Sequence, residues 1–157
     1  MPAIEVALAD KKAASAEAAI NATSLLKALQ AMRAGDFSVR LPSEATGIEG
    51  KIADTFNDIA AQNERMAQQL ERAGQAVGRD GKTKHRVKFG GGGGAWSEME
   101  TSVNTLIDDL LWPTTEVTQT IAAVAQGDLL RTVRLDVDGR PLKGEFLRSA
   151  NIVNTMI

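Results

Sequence analysis

The residues with the most chemical potential in this 157-residue chain crowd into positions 78–94. Gly81-Lys82-Thr83 resembles the end of a phosphate-binding loop, in which backbone N–H groups cradle phosphates and a lysine reaches them. Such a loop needs another glycine five residues before its last one and opens a helix after a strand. Position 76 is alanine, and the residues that follow, 84–89, alternate as an extended segment. Lys82, Lys84, Arg86 and Lys88 are charged enough to attract an anion, although a solvated connector face is the simpler account. His85 is the only histidine and stands between Lys84 and Arg86. A phosphoacceptor would instead sit on a helix beside an acid. One histidine without cysteine does not assemble a transition-metal site. Asp108-Asp109 reads as a solvated face, and no carboxylate pair recommends acid–base catalysis. The sequence thus nominates no catalytic, cofactor-binding or metal-binding residue, and no small-molecule ligand.

Positioning is the larger theme. Aromatic residues make up 4% of the chain and tyrosine is absent, so Ala, Leu, Ile, Val and Met must do the packing. That composition suits helical bundles. Net charge is −2 with no basic block, which gives no nucleic-acid footprint. Without cysteine there is no disulfide. No apolar run approaches the roughly 18–20 residues that span a bilayer. Residues 1–12 lack the apolar core of a signal peptide, so a cytoplasmic location is expected.

The strongest periodicity is a seam at Ile52, Phe56, Ile59, Asn63, Met66, Leu70, Ala73 and Val77, with alternating steps of four and three. This heptad pattern keeps one narrow stripe toward a partner helix. Asn63 would fix register at a buried seam position. A second seam runs Met99, Val103, Leu106, Leu110, Pro113, Val117, Ile121, Val124, with two consecutive steps of four from Pro113 to Ile121. That 11-residue insertion locally unwinds a supercoil. A continuous or slightly kinked helix is expected there, with Pro113 at a first-turn-like position.

The chain also repeats itself. Leu25, Leu29 and Met32 precede Gly35-Asp36 at the same offsets as Val117, Ile121 and Val124 precede Gly127-Asp128. Gly ends a helix at both places, and alternating residues follow: Phe37, Val39, Leu41, and Leu129, Val133, Leu135, Val137. Asp138-Gly139-Arg140-Pro141 is a turn signal. The middle copy ends its helix at 78–83, extends over 84–89 and loops through five glycines, 90–94. Asn57, Asn104 and Asn154 each lie ten residues after a glycine (Gly47, Gly94, Gly144), giving repeat distances of 47 and 50 residues. These asparagines are interface amides or, more simply, solvent-facing residues.

Helix, Gly-Asp, extended connector and second helix together resemble the HAMP domain, the signal relay of sensor kinases and chemoreceptors. The first unit carries the clearest match: Ala34-Gly35-Asp36-Phe37, then Gly47-Ile48-Glu49-Gly50-Lys51-Ile52, then Phe56-Asn57-Asp58-Ile59. Trp96 with residues 102–110, Trp112-Pro113 with 114–117, and residues 137–146 with Val153-Asn154-Thr155-Met156 are similar to the tandem arrays of soluble hybrid histidine kinases. The middle unit replaces Gly-Asp by the longer 78–83 stretch.

The resemblance implies an all-α fold of tandem parallel four-helix coiled-coil units, built by a parallel homodimer with extended connectors. The expected division is an N-terminal helical extension (1–19) and units at 20–63, 64–111 and 112–157, the last with its second helix truncated. Phe37, Val39, Leu41, Leu129, Val133 and Leu135 would pack against the helices. Glu49 and Glu145 would couple connector to helix start, or simply place an anion near a helix N-terminus, worth a few tenths of a kcal/mol (~0.3). The implied function is non-catalytic signal relay in two-component signal transduction, ahead of kinase domains in a longer parent chain. A passive coiled-coil spacer is the alternative, disfavoured by the repeated helix–connector–helix break. Stimulus, active packing state and output domain are not written in the sequence.

Overall fold

The computed structural model describes residues 20–90 and 93–157. The expected N-terminal extension and two of the five loop glycines, 91 and 92, lie outside the described residues. The described part is mostly helical: α1 (Ala22–Arg33), α2 (Gly47–Ala73), a π-helical turn (Gly74–Arg79), α3 (Ala95–Ala125), strands β1 (Asp136–Val137) and β2 (Arg140–Pro141), and α4 (Gly144–Met156). The chain divides into two compact units, one of residues 20–75 with 88–90, the other of 76–87 with 93–157. No described helix is long and apolar enough to cross a membrane.

In the first unit, Asn21 caps α1 by accepting the Ser24 amide on its side-chain oxygen, 2.7 Å away. The helix stops at Gly35, whose φ of +90° suits the left-handed cap. The Asp36 amide donates to Ala31 and the Gly35 amide to Met32, each at 3.0 Å, which satisfies the last carbonyls of the helix in a Schellman motif. The second unit ends α3 the same way: Gly127 at φ +91°, Asp128 donating to Ala123 at 3.0 Å and Gly127 to Val124 at 2.9 Å. The two Gly-Asp stops proposed from the sequence are thus one structure used twice.

The core of the first unit is Ala28 of α1, Leu41 of the connector and Ala53, Phe56 and Ala60 of α2, with Ile20, Leu25, Met32 and Val39 packed on it. On α2 these lie one position off the heptad seam, apart from Phe56. Seam residues Ile52, Ile59 and Leu70 remain 40%, 47% and 42% exposed. Asn63 does not act as a register amide within the chain; its Nδ2 donates 2.9 Å back to the Ile59 carbonyl of its own helix. Gly50 is buried, and a Cβ there would stand 2.2 Å from the Ala45 carbonyl oxygen, so only glycine fits without a shift of the backbone.

The second unit packs Val133 and Leu142 against Ala150 and Val153 of α4, with Trp112, Val117 and Phe146 around them. Leu129 and Leu135, expected to pack, are exposed. The hairpin bears on Leu135. Val137 pairs with Arg140 and Asp136 with Pro141 in antiparallel register across Asp138-Gly139, both at positive φ. The Leu142 amide then donates 2.8 Å to the Leu135 carbonyl, and Leu142 and Val137, not Leu135, pack into this core.

α3 runs unbroken for 31 residues with Pro113 well inside it, not in a first turn. The ring removes one N–H from the ladder. Hydroxyls nearby use the local carbonyls: Thr114 and Thr115 each donate to Leu111 at 2.8 Å.

Candidate functional site: the connector anchors

The three asparagines do the same job three times. The side-chain amide of Asn57 accepts the Leu41 N–H at 2.8 Å and donates to the Leu41 carbonyl at 2.9 Å. Asn104 does so for Val87 at 2.9 and 3.0 Å. Asn154 does so for Val133 at 2.7 and 3.0 Å. In each case the anchored residue is buried. An extended chain leaves its backbone donors and acceptors unpaired, and a buried unpaired group is costly. A primary amide offers one donor and one acceptor in the spacing of a peptide group, so it satisfies both at once. These residues are therefore neither seam amides nor solvent-facing: they fasten connector to helix. Each follows a helix-opening glycine by ten residues, and those glycines have φ of +69°, +60° and +57°.

Separation between anchored residue and asparagine grows from 16 to 17 to 21 residues. The five-glycine loop lies in the second span and the β-hairpin in the third. Loop length varies while the anchor is kept, and the middle connector, whose sequence departs most, is fastened like the others.

Arginines hold the connectors a second way. Arg40 donates through Nη1 to the Phe37 and Val39 carbonyls at 2.6 and 2.8 Å and through Nη2 to Glu64 at 2.6 Å. Arg86 repeats this on the Thr83 and His85 carbonyls at 2.8 and 2.6 Å, and pairs with Asp108 of α3. The middle basic stretch thus spends Arg86 on the fold. His85 is half-buried, and its Nε2 has no hydrogen-bond partner among the described residues.

In the third connector the contacts climb down α3. Arg131 meets Gln119 at 3.1 Å, Arg134 meets Glu116 at 3.1 and 3.2 Å, and Arg140 meets Asp109 at 3.1 Å. As the connector advances, the helix partner recedes, so the connector runs antiparallel to α3, and α4 then runs parallel to α3. In the first unit Arg40 reaches Glu64 and the next residue reaches Asn57. The first connector therefore descends α2, and α1 and α2 run parallel too.

Glu116 is 8% exposed. The guanidinium of Arg134 holds its carboxyl below the usual range, against the opposing effect of burial. Arg134 also lies over the Trp112 ring, 5.2 Å from its centroid. Asp36 is held low by the hydroxyl and amide of Ser38, at 2.6 and 3.0 Å; Asp128 accepts the Leu130 amide at 3.1 Å in the same turn.

Gly81-Lys82-Thr83 forms no helix N-terminus. Lys82 donates through its amide to Ala76 at 2.7 Å and pairs with Asp80 at 3.1 Å. Glu49 and Glu145 lie in the first turns of α2 and α4, and Glu145 pairs with Arg148 at 3.4 Å. Among the described residues no group of three or more His, Cys, Asp or Glu could hold a metal ion. No family model matches the chain, and no solved structure matches it.

Proposed function

We propose that the chain is a non-catalytic signal relay of tandem HAMP units, working as a parallel homodimer ahead of a histidine kinase output. The observation that carries this reading is the repeated element itself: an extended connector that an asparagine fastens to the helix after it, three times over, with the two helices parallel in the first and third repeats. The exposed seam supports the dimer. Ile52, Ile59 and Leu70 on α2, and Met99, Leu106, Leu110 and Ile121 on α3, stay uncovered at heptad spacing within one chain. A second copy brings an identical stripe and closes it as a four-helix bundle.

A relay needs an element with two packings of similar energy. The fastened connectors keep each helix pair together, so the freedom left is rotation or tilt of whole pairs against the partner copy. Mass by light scattering tests the dimer. The chain should weigh twice its 16.7 kDa. Ile59→Asp with Leu70→Asp should halve the mass while the Leu41 amide stays protected by Asn57. A wild-type monomer would end the reading.

A further inference from the structure

Asp108 and Asp109 are adjacent on α3, yet two different connectors claim them. Arg86 of the middle connector pairs with Asp108, and Arg140, at the end of the third connector's hairpin, pairs with Asp109 at 3.1 Å. Both connectors border one groove of about 540 Å³ over α3, lined by Thr83 and Arg86 on one side and Val137, Asp138 and Arg140 on the other. Read as separate features, these are exposed ion pairs of small worth. Their placement makes them more, because Asp108 and Asp109 are consecutive on α3 and both line this groove together with the two arginines.

We propose that Asp108-Asp109 is an ionic junction that couples the position of the middle connector to that of the third. While Arg86 neutralises Asp108, Arg140 is held on Asp109 and the hairpin is set. When the middle connector lifts, Asp108 is left bare, and Arg140 shifts to lie between the two carboxylates. That shift pulls the hairpin and the Leu142 amide off its 2.8 Å bond to Leu135. The proposal rests on the reading of α3 as a helix shared by two relay units. Its readout is local, so its failure would leave the dimeric relay standing.

Native-state hydrogen exchange on the full chain, residue by residue by NMR, tests it. Arg86→Ala should speed exchange of the Leu142 amide about two- to fivefold, the range an exposed pair supplies. Coupling is reciprocal, so Asp109→Asn, which frees Arg140 to compete for Asp108, should speed exchange of the Val87 amide by a like factor. It serves alone if Arg86→Ala does not fold. Both accelerations should shrink in about 1 M salt, where the screening length falls to about 3 Å. Acceleration confined to the mutated connector would overturn the junction, as would one that salt leaves unchanged.

Discussion

The first and third connectors begin alike and are secured differently. Both leave a helix through the same Gly-Asp cap, and both are fastened by one asparagine amide. From there the first takes a short route: Leu41 and Val39 pack on the core, and Arg40 reaches an exposed Glu64 on the following helix. The third is longer and buries only Val133 before its hairpin. It meets the preceding helix through three polar rungs, one of them the buried Glu116 with Arg134 and Trp112. The difference teaches that the amide anchor defines the unit, whereas the arginine contacts adapt to the length of chain between anchor and helix.

Removing the anchors should break both connectors most severely. Asn57→Ala and Asn154→Ala each strand one buried N–H and one C=O. Each should cost about 2–4 kcal/mol, seen as a lower urea midpoint, with the loss in the unit that carries the substitution. Similar small losses from both would mean the connectors are held by packing alone.

Glu116 sharpens the contrast. Glu116→Ala should cost about 1–2 kcal/mol, since a charge-assisted bond is lost but Arg134 is left in solvent. The pH dependence follows from its lowered pKa. The unfolded chain holds the proton more tightly, so the Glu116 contribution is complete above the ordinary glutamate value of 4.5 and is lost as pH falls through the lower folded value. Acid unfolding followed by tryptophan fluorescence should therefore lose a component in Glu116→Gln. Arg40→Ala in the first unit should cost less, about 0.2–1 kcal/mol, because both partners are exposed. An Arg40 effect as large as that of Glu116 would erase the distinction.

Thr120 gives the smallest effect and the opposite sign. It is fully buried on α3, and its hydroxyl has no hydrogen-bond partner among the described residues. Thr120→Val should raise stability by about 0.5–1 kcal/mol in the same urea experiment. A loss instead would mean that the hydroxyl is paired in solution.

What was legible in the sequence follows from range. The Gly-Asp stops and the hairpin turn are written in four or five consecutive residues, because their geometry depends on local φ and local hydrogen bonds. The asparagines were visible as a repeat, but their partners lie 16 to 21 residues away and are backbone atoms, which carry no sequence signal. Asp108-Asp109 is the exposed face the sequence suggests, but its arginine partners were hidden for the same reason, since they come from 22 and 31 residues away. Leu135 misled because alternation marks a strand's two faces without saying where the strand bends into a hairpin. The seam was legible as a stripe, and Ile52, Ile59 and Leu70 on it are exposed within one chain.

The central claim is that two copies bring these seams together in parallel and in register. The chain has no cysteine, so single cysteines at Ile59, Met66 and Leu70 report alone in disulfide crosslinking. Controls at Asp54 and Gln68 lie exposed on the opposite side of α2. The account predicts rapid same-site crosslinking at the three seam positions and little at the controls. Uniform crosslinking, or none at the seam, would contradict it.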